Sequence, residues 1–141
     1  MLVLNETDHR KVYWYDHNKD IIIGEVYSGW TWDDAREGLA ILNNVLATES
    51  QLRPTYTIIQ LMLGAQLMPR GESTLLSLRE LLKQDPGHEQ LTIYVTPLNM
   101  MNTLMKLATR LYNLGDKIAH YHFVQTLDEA LQIIRDHKAT F

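Results

Sequence analysis

TYTIIQLMLGAQLMPRGESTLL, residues 55–76, passes from an almost unbroken apolar run into a loop holding Gly64, Pro69 and Gly71. It then resumes with leucines at helical spacing. The run Thr55–Leu63 has no polar face, as expected of a strand covered on both sides in a parallel sheet. A strand, a glycine-bearing loop and a helix in that order make the first part of a βαβ unit.

The same alternation continues downstream. Leu75, Leu78 and Leu82 mark the helix after the loop, and QDPGHEQ (Gln84–Gln90) reads as a turn through its Asp-Pro-Gly core. LTIYV (Leu91–Val95) is a strand. Thr96 followed by Pro97 is a helix-start signal, with Met101, Leu104, Ala108 and Leu111 as the apolar stripe and Gly115 as the stop. HYHFV (His120–Val124) is the last strand. Thr126 and Glu129 form a capping box for a final helix that turns Leu127, Ala130, Leu131 and Ile134 inward.

Upstream, the loop Gln51–Pro54 is preceded by a helix capped by Thr31, with Asp34 three residues on. Asp33, Asp34 and Glu37 favour its positive end, and Ala35, Leu39, Leu42 and Leu46 should face the core. IIIGEVYS (Ile21–Ser28) and KVYWY (Lys11–Tyr15) are strands joined by the polar turn DHNKD, with Asn18 the candidate for its left-handed residue. Residues 1–10 read as a loose lead-in. The predicted order is β-β-α-β-α-β-α-β-α. That is an α/β fold with a mostly parallel five-stranded sheet, helices flanking it and the N-terminal strand antiparallel.

Size and charge narrow the classes of function. A chain of 141 residues, 45% hydrophobic, suits one domain with a single core over residues 1–141. A net charge of −4 with scattered Lys and Arg gives no basic stripe for nucleic acid. The chain has no cysteine, which removes disulfides, thiolate catalysis and cysteine-ligated zinc. No apolar run approaches the ~20 residues of a membrane span, and the N-terminus carries no signal-peptide pattern. The expectation is a cytoplasmic protein.

In an open parallel sheet, ligands bind beyond the carboxyl ends of the strands. The loops that should meet there are SGWTW (Ser28–Trp32), GAQLMPRG (Gly64–Gly71), TPLNMM (Thr96–Met101) and VQT (Val124–Thr126). They bring Trp30, Trp32, Leu67, Met68, Arg70, Met100 and Met101 to one edge. Such soft apolar side chains either roof the core or form a surface for a partner protein or a small apolar ligand.

Catalytic and cofactor signatures are absent from the sequence. Gly71 is followed by Glu72 and Ser73, where a Walker A loop needs Lys and Ser/Thr. Neither G-x-G-x-x-G nor G-x-S-x-G occurs. Asp33 and Asp34 are explained by the helix start, so they assign no acid–base pair. His120 and His122 share a strand face but have no third ligand, and Tyr121 and Phe123 should pack inward. His9, His17 and His137 read as solvated. The expectation is no enzyme, no metal and no cofactor. The aromatic strand Tyr13–Tyr15 reads as a sheet edge that could pair two copies into a homodimer.

The element order, the helix start after a short Gly-Trp turn and the closing TLDEALQII together resemble the STAS superfamily, within it the SpoIIAA-like (STAS/SEC14-type) group. The likeness runs from about Lys11 to Ile134 and rests on pattern and spacing. It implies a βα superhelix with an added N-terminal strand. In anti-sigma-factor antagonists of that superfamily, the loop after the strand Thr57–Leu63 carries an Asp-Ser-Ser-Gly-Leu type motif whose serine is phosphorylated. With Gly71 on the motif's glycine, Met68, Pro69 and Arg70 stand at the Asp, Ser and Ser positions and Glu72 at the Leu position. The phospho-acceptor is therefore missing, and Ser73 and Thr74 are the nearby hydroxyls that could take its place. The resemblance implies a regulatory or binding domain acting through a partner protein. Its lipid-binding SEC14-type members suggest the alternative of an apolar-ligand carrier or sensor.

Overall fold

A computed structural model describes residues 2–62, 90–96 and 121–140. They form a six-stranded mixed sheet whose spatial order follows the chain: β1 (Leu2–Glu6), β2 (Arg10–Trp14), β3 (Ile21–Val26), β4 (Tyr56–Leu61), β5 (Leu91–Val95) and β6 (Tyr121–Val124). β1 pairs with β2 and β2 with β3 antiparallel, and β3 to β6 are mutually parallel. Two helices lie among the described residues, α1 (Trp32–Glu49) and α2 (Leu127–Lys138). The helices expected over the stretches around Leu75–Leu82 and Met101–Leu111 lie outside the described residues.

β1 corrects the expectation of a loose lead-in and of a five-stranded sheet. LVLNE pairs with β2, Leu2 opposite Trp14 and Glu6 opposite Lys11, with a register shift between Val3 and Asn5. That irregularity breaks the alternation that would have marked a strand. β1 also places Tyr13 and Trp14 one strand in from the edge, so the aromatic strand is not the sheet edge that its composition suggests. The turn before β3 is an Asx-type turn, with the Asn18 amide donating to Asp16 Oδ1 at 3.0 Å. Its left-handed residue is Lys19 (φ 53°), not Asn18.

Strand alternation sorts the core into two layers. On one face, Ile21, Ile23, Tyr56, Ile58, Leu91, Ile93, Val95 and Val124 pack beneath Ala130, Leu131 and Ile134 of α2. On the other, Val12, Trp14 and Ile22 pack beneath Leu42 and Leu46 of α1, with Ile41, Val45 and Ile59 at the margin. Leu42 and Leu46 therefore face inward as their spacing predicts, while Ala35 and Leu39 are only partly buried.

The α1 face is not apolar throughout. Thr57 and Thr92 sit side by side in the β4–β5 register on that face and are buried, and Gly24 stands opposite Ile59. A Cβ on Gly24 would lie 3.3 Å from Ile59 Cδ1, so the missing side chain lets Ile59 cross the sheet there.

Both helix starts follow local chemistry. Thr31 accepts from the Asp34 amide, and the Asp34 carboxylate accepts from the Thr31 amide at 2.8 Å, a complete capping box. Thr126 accepts from the Glu129 amide at 3.2 Å.

Candidate functional site

The carboxyl edge of the parallel strands is built from the chain after β3, the ends of β4 and β5, and the turn after β6. The Met62 amide donates to Val26 O and the Thr96 amide to Val124 O, which carries the parallel pattern to the very edge. The β1–β2 turn joins this edge because β2 is antiparallel to β3, with Arg10 opposite Val26.

His9 is the residue of this turn that sequence reading missed. Its ring Nδ1 donates to the Ser28 carbonyl at 3.1 Å, and since a carbonyl only accepts, the proton sits on Nδ1. The His9 ring lies over Gly29, where an added Cβ would come within 3.0 Å of Cε1. Gly29 has φ +84°, a conformation that side chains disfavour. Arg10 next to it reaches across to α1. Its Nη1 donates to Glu37 Oε2 at 3.0 Å and lies 3.6 Å from Asp34 Oδ1, while Nε donates to Asn5 Oδ1 at 2.9 Å. One cation thus ties the hairpin to the first turns of α1.

That clasp holds the Gly-Trp-Thr-Trp turn. Trp30 and Trp32 meet edge to face with ring centroids 5.7 Å apart. Trp32 opens α1 and is 3% exposed, so it roofs the interior, whereas Trp30 is only half-buried. Of the residues expected to build an apolar edge, these two are brought together. Leu67, Met68, Arg70, Met100 and Met101 lie outside the described residues, as do Ser73 and Thr74.

Trp32 Nε1 and Thr96 Oγ1 are buried at this edge and find no hydrogen-bond partner among the described residues. Almost every buried polar group in a folded protein is hydrogen-bonded, so such atoms call for an explanation.

The other histidines sort differently from their sequence reading. His137 is not simply solvated: its Nδ1 lies 2.8 Å from the Tyr56 hydroxyl, in hydrogen-bond contact. Lys138 pairs with Asp20 and lies 5.7 Å from the Tyr56 ring centroid. Burial first, and then the Asp20 carboxylate, raise the Tyr56 pKa. This cluster fastens the end of α2 to the amino edge of the sheet, opposite the candidate site. His122 sits opposite Ile93, on the α2 face, while Phe123 stacks on Tyr94 with centroids 5.4 Å apart on the α1 face. His120 lies outside the described residues. No group of three or more His, Asp or Glu side chains able to hold a metal occurs among the described residues.

On the hairpin, Lys11 pairs with Glu6 at 3.6 Å and the Tyr27 hydroxyl donates to Glu25 Oε2 at 3.2 Å. Burial, then the charge of Glu25, push the Tyr13 pKa up to about 12.

No helix among the described residues is long and apolar enough to cross a membrane. No protein-family model, curated protein or solved structure matches the chain.

Proposed function

We propose that this chain is a non-enzymatic binding or regulatory domain of the SpoIIAA-like STAS kind that acts through the carboxyl edge of its sheet. The observation that carries the reading is the Trp30–Trp32 pair. A half-exposed indole is held edge-on against a buried one, on a turn fixed by Gly29 and His9. A rigidly placed aromatic at a ligand-binding edge is the kind of anchor that dominates binding energy. Support for the family reading comes from the strand order, since β3 to β6 follow one another in space as a βα superhelix requires. On this reading Leu67, Met68, Arg70, Met100 and Met101 complete the edge, and the loop holding Pro69 has lost the usual phospho-acceptor.

The reading is tested by native mass spectrometry of the protein purified from cells, beside its Trp30→Ala variant. The expected result is a bound partner or ligand on the parent that the variant holds at least about thirtyfold more weakly, the loss of an aromatic anchor of ~2 kcal/mol. A bare chain in both samples, or equal retention by both, contradicts the reading.

A second reading, a carrier or sensor of a small amphipathic or apolar ligand, is favoured by the unpartnered Trp32 Nε1 and Thr96 Oγ1. A protein surface docking on Trp30 would leave both atoms as they are, whereas a small molecule entering the edge could reach them.

A further inference from the structure

β1 closes the sheet on one side, and among the described residues no strand pairs with its outer backbone. An open strand edge presents unpaired amides and carbonyls, and proteins blunt such edges with lysine, proline or a bulge. LVLNE carries neither lysine nor proline. Its one protective feature is the register shift between Val3 and Asn5, and that shift does not hide its apolar side chains. Of the four large apolar side chains left exposed among the described residues, Val3 at 52% and Leu4 at 40% are neighbours on this strand.

Cross-strand register shows what Val3 belongs to. Val3 stands opposite Tyr13, Tyr13 opposite Ile23, Ile23 opposite Ile58 and Ile58 opposite Ile93. This row starts in the core beneath α2, where Ile23, Ile58 and Ile93 are fully buried, and ends in water at Val3. A strand laid along β1 with an apolar residue against Val3 would continue the row. β1 itself supplies such a strand. With two copies antiparallel about Val3, Val3 meets its counterpart, and Leu2 of each copy meets Leu4 of the other. Charge favours the same arrangement. Glu6 is the one charged residue of the strand, and it is paired with Lys11 at 3.6 Å. Antiparallel pairing sets the two Glu6 side chains at opposite ends of the contact, roughly 20 Å apart at strand spacing, beyond the ~8 Å screening length of physiological salt. Parallel pairing would set them face to face.

We infer that a second copy of this chain pairs on β1, so that two six-stranded sheets join edge to edge into one continuous sheet. The contact goes beyond the carboxyl-edge reading, because the Trp30 turn follows β3, two strands in from this edge. Sedimentation of the full chain over a concentration series should show monomer passing into dimer. Native mass spectrometry should give twice the chain mass, which tells a second copy from a foreign guest. Leu4→Lys should weaken the dimer at least about tenfold, with circular dichroism unchanged because the side chain is already exposed. The chain has no cysteine, so Val3→Cys gives a single thiol on β1 and Leu52→Cys a single thiol on the loop between α1 and β4. A short bis-maleimide should join two Val3→Cys chains at least about tenfold faster than two Leu52→Cys chains, since pairing raises the effective concentration of one site near the other.

A chain that stays monomeric up to about 1 mM overturns the inference. So does a dimer that Leu4→Lys leaves equally tight, or one whose two cysteine variants link at equal rates, since the copies then meet elsewhere. If Leu4→Lys loses its fold, the cysteine rates decide. Trp30→Ala should leave the dimer as it is, so failure here and failure of the carboxyl-edge reading are separate results.

Discussion

Gly29 shows how much of the site depends on one residue. Its φ of +84° and the His9 ring 3.0 Å from where a Cβ would stand leave no room for a side chain. Gly29→Ala should cost about 1–3 kcal/mol of stability from backbone strain, read as a lower urea midpoint with an unchanged m-value. A midpoint equal to the parent's would mean that the turn is not held as described. The Gly-Trp turn was legible as a turn, because glycine signals one. Its contact with His9 was not, because 20 residues separate the two and only strand pairing brings them together. Tyr13 carries a second prediction at this scale. Its phenol is raised from 10.0 to about 12, so the folded state holds the proton more tightly than the unfolded one. Stability from this group is therefore complete below pH 10 and is lost as the pH rises toward 12. The melting temperature should fall over that interval, and Tyr13→Phe should make the fall shallower. An identical slope in the variant would contradict the assignment.

At the scale of elements, the two described helices were the most legible parts of the chain. Thr31 with Asp34 and Thr126 with Glu129 are signals within one helical turn, so no distant partner is needed to read them. Thr31→Ala should cost about 1 kcal/mol through the loss of the α1 cap, with the sheet intact by circular dichroism. Thr31→Ser should recover most of it, since serine offers the same acceptor. Ile134→Ala on the buried face of α2 should cost roughly 2–5 kcal/mol, since that side chain is 1% exposed among Tyr56, Ile58 and Ile93. A loss under about 1 kcal/mol would mean that α2 is not packed on this face. β1 was illegible for the opposite reason. LVLNE has too few residues and too broken an alternation to announce a strand, and its pairing with β2 runs through a register shift.

For the molecule as a whole, the sequence pattern carried the α/β class and the parallel run from β3 to β6, because alternating strands and helices constrain topology strongly. It also distinguishes the carboxyl from the amino edge of the sheet, since that follows from strand direction. It did not reveal the polar layer on the α1 face. Threonine is an ordinary strand former, and whether its hydroxyl finds a partner is decided by residues far away in sequence. The central claim is that the edge bearing Trp30, and not the opposite edge, meets the binding partner or ligand. A photo-reactive benzoylphenylalanine at position 30, irradiated in intact cells, tests this most directly. The control places the same group at position 52. Leu52 is 68% exposed in the loop between α1 and β4, at the amino edge of the sheet. Discrete adducts at position 30 and none at position 52 are the predicted result. Adducts at neither position, or equally at both, would contradict the claim.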